Sequence, residues 1–195
     1  NHSNIGPGIS VYPEGYWKTP LGAAVIPEEV VKKIIKEPHF RKDTSAHMQE
    51  HSIEVQVPFL QYLYGDDVPF IAICLKDQSL STSARIGTVL TKVLAGYDYC
   101  LIASTDLSHF ESQGASFEKD RHVIEAIQTL NATTLHDKVM NFQISMCGPG
   151  PTASVLTAGV ASGVKTAEIL KYSTSGDVTG DKNYVVAYLS AILRK

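Results

Sequence analysis

Two largely apolar runs, VPFIAICL at 68–75 and YDYCLIAS at 97–104, constrain this chain more than any other feature. Neither alternates polar with apolar residues, so neither suits a sheet with one face in water. Runs of this length fit strands covered on both faces, as in a parallel sheet sandwiched by helices. The surrounding sequence supplies the helices. Residues 80–95 place Ile86, Val89, Leu90, Val93 and Leu94 on one helical face. PEEVVKKIIKE at 27–37 opens on a proline, continues with acids and stripes Val30, Val31, Ile34 and Ile35 along one side. Residues 115–130, 133–141 and 151–163 also read as helices, the last opened by Pro151. Residues 46–63 predict a helix broken or kinked near Pro58, although Ile53, Val55 and Val57 alternate like a strand. Strands at 167–173 and 184–192, joined by the turn TSGDVTGDKN, are expected to pair antiparallel. The pattern predicts an α/β domain with a mostly parallel central sheet flanked by helices. Ligands on such sheets bind beyond the carboxyl ends of the strands.

The 195 residues suffice for one domain, expected to span 1–195. A net charge of -3, with scattered lysines and arginines, offers no footprint for nucleic acid or a membrane surface. Three cysteines without paired spacing argue against a disulfide framework. No stretch reads as a membrane span or a signal peptide, which predicts a cytoplasmic protein. Cys74 and Cys100 lie inside the apolar runs and read as core residues. Residues 1–15 are rich in Gly and Pro and read as a long loop. A domain seldom starts that way, so a segment is expected to precede Asn1.

Three places could carry chemistry. STDLSHF at 104–110 leaves the end of the second apolar run with Asp106 and His109 three residues apart. A carboxylate beside an imidazole suits a general base or a metal ligand. A short capped turn with His109 merely exposed fits the spacing equally. SMCGPGP at 145–151 puts Cys147 just before a helix N-terminus, which favours thiolate. That suits a ligand or a nucleophile, and a structural thiol at a turn fits too. HMQEH at 47–51 matches H-x-x-E-H, in which His47 and His51 would share zinc with Glu50 as base. A polar face lining a pocket is the plainer reading of Glu50 and His51. His2, beside Asn1 at the edge of the Gly/Pro loop, has no distinguishing context of its own.

EHSIEVQVPFLQ at 50–61, STDLSHF at 104–110, MCGPGP at 146–151 and YSTSGD at 172–177 occur in order. WKTPLG at 17–22 and the opening Asn1-His2 complete the set. Together they resemble the Memo family, the B component of the AmmeMemoRadiSam gene set, over essentially the whole chain. The resemblance implies a three-layer fold similar to class III extradiol dioxygenases, which are non-haem iron enzymes. It implies that His2 and Cys147 are metal ligands, with a further histidine in an upstream Pro-His-Ala-Gly motif absent from this sequence. It implies that His109 is the acid/base residue, oriented by Asp106, with Glu50, His51 and Asn1 lining the pocket. Leu107 replaces the family's usual aromatic and Met146 its usual isoleucine. Iron is the first expectation for the metal, with copper or zinc as alternatives. The implied activity is that of a dioxygenase-like oxidoreductase acting on a small molecule. A peptide-binding adaptor that reuses the pocket, with Lys18, Arg41, Lys42 and Arg121 as its available cations, is the second reading. Zinc hydrolysis through HMQEH is the third.

Overall fold

The computed structural model describes residues 1–194. Backbone proximity groups them into two units: residues 1–77 with 92–97, and residues 78–91 with those from 98 onward.

Unit 1 is organised around β1 (Ile9–Val11), whose three residues are all buried. It pairs parallel with β4 (Phe40–Lys42) and antiparallel with β5 (Ile73–Leu75). Strands β2 (Tyr16–Thr19) and β3 (Gly22–Val25) form a separate antiparallel pair. Helix α1 (Glu28–Ile35) carries acids in its first turn and lysines in its last, matching the helix dipole, and buries Val31 and Ile34. The expected helix at 46–63 is instead a 3₁₀ turn at Ser45–His47, an irregular stretch, and α2 (Val57–Tyr64). Pro58 sits in the first turn of α2, where a missing N–H costs nothing, so it opens the helix rather than kinking it.

Unit 2 centres on β8 (Val185–Arg194), paired antiparallel with β7 (Thr166–Thr174) and with the short β6 (His109–Glu111). The expected turn between β7 and β8 contains a short helix, α7 (Gly176–Thr179). Helices α4 (Gln113–Gln128), α5 (Ala132–Asn141) and α6 (Pro149–Ala161) pack Val123, Ile127, Leu135, Val139, Ala153 and Leu156 into one core. Ser112 and Asn131 cap α4 and α5 by accepting from Ala115 and Thr134 N–H groups. Helix α3 (Leu80–Val93) approaches α6 at Gly87, where a Cβ would lie 2.6 Å from the Ser154 carbonyl.

The chain is thus a mixed α/β protein, as expected. The mostly parallel sheet is not what its ladders show. Among the described residues, parallel pairing is confined to β1–β4 and a single bridge between Val25 and Pro69. The run 68–75 joins a ladder only at 73–75, and residues 98–104 join none. Cys100, expected in the core, is exposed, together with Tyr99 and Ile102. An apolar run states that a segment favours burial. It does not supply the neighbouring N–H and C=O groups that a strand must meet. No described helix is long and apolar enough to cross a membrane.

Candidate functional site

In unit 2, residues 104–108 run beside β8. Leu107 N–H donates to the Ala187 carbonyl at 2.8 Å, and Ala187 N–H returns a bond to Ser108 at 2.9 Å. Leu107 is buried, which turns Asp106 and His109 to the partly exposed side. Phe110 then adopts φ +61 at a bulge in the β6–β8 ladder. The bulge lets His109 and Glu111 both pair with β8, while Phe110 swings out and stacks on Tyr184 at 5.2 Å.

Cys147 meets this segment from the turn before α6. Its sulfur accepts the Asp106 N–H at 3.1 Å and lies 3.4 Å from the Thr105 hydroxyl. Its own N–H donates to the Asp106 carbonyl at 3.3 Å. Gly148 N–H donates to Thr105 Oγ1 at 2.7 Å, so the two segments are laced together. Gln78 adds a brace, donating to the Cys147 carbonyl at 2.9 Å and accepting the Gly150 N–H at 3.0 Å. A Cβ on Gly148 would lie 2.6 Å from Thr105 Cβ, which explains the glycine directly after the cysteine.

The ring of His109 is held from one side. Its Nδ1 lies 2.7 Å from the Ser145 carbonyl oxygen. A carbonyl can only accept, so Nδ1 carries the proton and a neutral ring has its lone pair on Nε2. Nε2 faces the Asp106 carboxylate at 3.6 Å. One ligand atom each from Asp106, His109 and Cys147 lie within 4.8 Å of one another. Three side chains that can each offer a lone pair thus converge at one place, which makes them a candidate metal-binding group.

Behind the segment lies a second layer. Asp120, fully buried on α4, accepts from Ser108 N–H at 3.1 Å, Ser108 hydroxyl at 2.7 Å and Tyr172 hydroxyl at 2.9 Å. Burial raises its pKa, against the bonds from Ser108 and Tyr172. The Tyr172 hydroxyl is raised as well, by burial and by Asp120. Tyr172 lies near the end of β7, and the TSGD turn at 174–177 follows it. Tyr172 contributes through Asp120. Asp177 ties the turn down, accepting from Thr174 N–H at 2.7 Å and Gln113 at 2.7 Å.

Unit 1 assembles a different group. His2, Glu50 and His51 place one ligand atom each within 4.8 Å of one another. Glu50 is buried and accepts from the His2 ring Nδ1 at 2.7 Å, the His2 backbone N–H at 2.7 Å and the Ser52 N–H at 3.0 Å. Burial pushes its pKa up, but these donors outweigh burial and bring it down to about 2. His51 stacks on His2 at 4.3 Å. Asn1 donates to the Ile5 carbonyl at 2.7 Å and closes the opening loop.

His47 is absent from this group. It ends the 3₁₀ turn, buried, with its ring edge-on to Tyr12 at 5.5 Å and Trp17 at 6.1 Å. The H-x-x-E-H reading required a continuous helix to align His47 with His51, and the backbone leaves helical geometry between them. Two of the cations considered for an adaptor are engaged, Lys42 with Glu14 at 2.8 Å and Arg121 with Glu118 at 3.1 Å.

Sequence reasoning therefore found Asp106, His109 and Cys147, which unit 2 brings together, and Glu50 and His51, which unit 1 brings to His2. It missed Ser145, Gln78 and Asp120. Ser145 and Gln78 act through backbone and amide bonds that leave no motif. Asp120 was detectable only as an acid facing inward on an otherwise ordinary helix.

The family model described as Memo-like protein matches residues 1–192. The MEMO1 family protein of Thermotoga petrophila is 43% identical over 195 residues, covering 99% of this chain and 69% of that protein. That of Methanopyrus kandleri is 39% identical over 198 residues, covering 100% and 70%. That of Methanocaldococcus jannaschii is 39% identical over 199 residues, covering 99% and 69%.

Proposed function

This chain belongs to the Memo-like family, and from that membership and the two side-chain groups we propose that it is a metal-dependent oxidoreductase acting on a small molecule in the cytoplasm. His2 and Cys147 are its metal-binding side chains. His109 handles a proton at Nε2, and Asp106 orients it. The observation that carries this reading is the convergence of Asp106, His109 and Cys147 within 4.8 Å while Nδ1 of His109 is committed to Ser145.

The donor set fits a transition metal. A thiol sulfur and an imidazole nitrogen suit iron, copper or zinc rather than magnesium or calcium. Iron(II) is the first choice. When bound, the ion supplies Lewis acidity and, for iron or copper, one-electron redox chemistry. The protein's own residues do the remaining work. Asp106 N–H and Thr105 hold the Cys147 sulfur in place from one side. The Ser145 carbonyl fixes which ring nitrogen of His109 is free to take or give a proton. The Asp106 carboxylate, 3.6 Å away, stabilises the ring when that proton is present.

Anaerobic reconstitution with iron(II), and separately with copper(I) and zinc, followed by desalting and elemental analysis, tests the reading. Wild-type protein should retain metal. Cys147→Ala should lower affinity by about 100-fold or more, since loss even of a residue that only orients a ligand costs 10–100-fold. His109→Gln should keep the metal but lose catechol-dependent oxygen uptake. No retained metal of any kind, or undiminished binding in Cys147→Ala, would sink it.

A further inference from the structure

We infer that Glu50 is a positioning residue which locks His2 as the Nδ1–H tautomer, so that Nε2 is the atom His2 presents. The distances carry this. Glu50 Oε1 lies 2.7 Å from His2 Nδ1 and accepts the Ser52 N–H at 3.0 Å. Oε2 accepts the His2 backbone N–H at 2.7 Å. Two carboxylate oxygens offer about four acceptor sites, so three N–H donors leave room for only one more. The same residue supplies two of those donors, one from its backbone and one from its ring. The carboxylate therefore sets both where His2 sits and which way its ring faces.

Charge decides the tautomer. A carboxylate only accepts, so the nitrogen facing it carries a proton. The Glu50 side chain has no exposed surface, whereas the His2 side chain is 40% exposed. The carboxylate is the buried anchor and the ring is the accessible end. His51, stacked on the ring at 4.3 Å, limits rotation about the remaining bond. For Glu50 to bind an ion through Oε1, it would have to surrender the His2 bond that positions the ring. A carboxylate that orients a histidine from behind also makes its distal nitrogen a better donor. The metal consequence rests on the reading of His2 as a metal-binding side chain. The tautomer assignment does not.

The test uses the metal-free full chain with ¹⁵N-labelled histidine and long-range ¹H–¹⁵N correlation spectra. In the wild type, His2 Nδ1 should resonate as a protonated nitrogen and Nε2 as an unprotonated one. Glu50→Ala removes the acceptor that faces His2 Nδ1. It should shift the ring toward the Nε2–H form, and zinc affinity by chelator competition should fall about 10–100-fold. If that variant does not fold, the wild-type spectrum alone decides. An Nε2–H ring in the wild type, or an unchanged tautomer in Glu50→Ala, overturns the inference. Zinc binding abolished in Glu50→Ala with the tautomer unchanged would make Glu50 a ligand. A shifted tautomer with zinc affinity unchanged would uphold Glu50's hold on the ring and overturn His2 as a ligand.

Discussion

Each unit buries one carboxylate near one histidine of its candidate group, but the connections differ. In unit 1, Glu50 bonds the His2 ring directly, at 2.7 Å. In unit 2, Asp120 bonds Ser108, one residue away, and the His109 ring gives its Nδ1 proton to the Ser145 carbonyl. Both carboxylates are buried, at 3% and 0% exposure, yet they shift in opposite directions. Burial raises both. Glu50 is brought down to about 2 by N–H donors from His2 and Ser52. Asp120 accepts one N–H and two hydroxyls, which do not offset burial, and Glu111 adds repulsion. The donors facing a buried acid, more than its depth, decide whether its charge is favoured. The Nδ1 of the unit 1 histidine thus faces a buried carboxylate, and that of the unit 2 histidine a backbone carbonyl.

The largest effect on stability should come from Asp120→Ala. It leaves the Ser108 N–H, Ser108 hydroxyl and Tyr172 hydroxyl without their acceptor, at a cost of about 3 kcal/mol in urea unfolding. Asp120→Asn, which keeps one acceptor oxygen, should lose less. Equal losses in both would mean that charge, not bonding, holds the segment, which would make the two units alike. Gly148→Ala comes next, at about 2 kcal/mol, because the new methyl forces Thr105 aside. It should also weaken metal retention through Cys147 while leaving the His2 spectrum unchanged.

The two carboxylates should also separate by pH. Glu50 has a folded pKa below its ordinary 4.5, so its contribution is complete above 4.5 and is lost as pH falls toward about 2. Asp120 has a folded pKa above its ordinary 3.8, so the folded state is the stronger proton binder. Its contribution is largest below 3.8 and is lost as pH rises through its raised value. Acid titrations of stability should flatten at the low end in Glu50→Gln. In Asp120→Asn the opposing slope should vanish. The same slope in both variants would erase the contrast. The smallest effect belongs to Ser145→Ala, about 1 kcal/mol for the lost bond to His109 N–H. The His109 tautomer should not change, because the carbonyl that sets it remains.

Several elements were readable before any coordinates. Helix α3 follows its apolar stripe, α6 its opening prolines, and the β7–β8 pair its short connection. Asp106, His109 and Cys147 stood out because STDLSHF and the turn before α6 each concentrate polar residues at one point, although the strand expected to end at STDLSHF does not form. The apolar runs misled. VPFIAICL forms only a three-residue strand, antiparallel to β1, and residues 98–104 form none.

What the sequence alone determined about the convergent Asp106–His109–Cys147 group is therefore its membership: which side chains carry lone pairs, and which segments could bring them near. Tertiary structure decided what each of them does. Whether His109 offers Nδ1 or Nε2 depends on a carbonyl 36 residues away, and for His2 on a carboxylate 48 residues away. Neither partner is visible as a motif, because a hydrogen bond between distant residues is set by where the backbone passes and not by local composition. That is also why Glu50, which the sequence offered as a pocket wall or as the base of H-x-x-E-H, stands as the residue that aims His2.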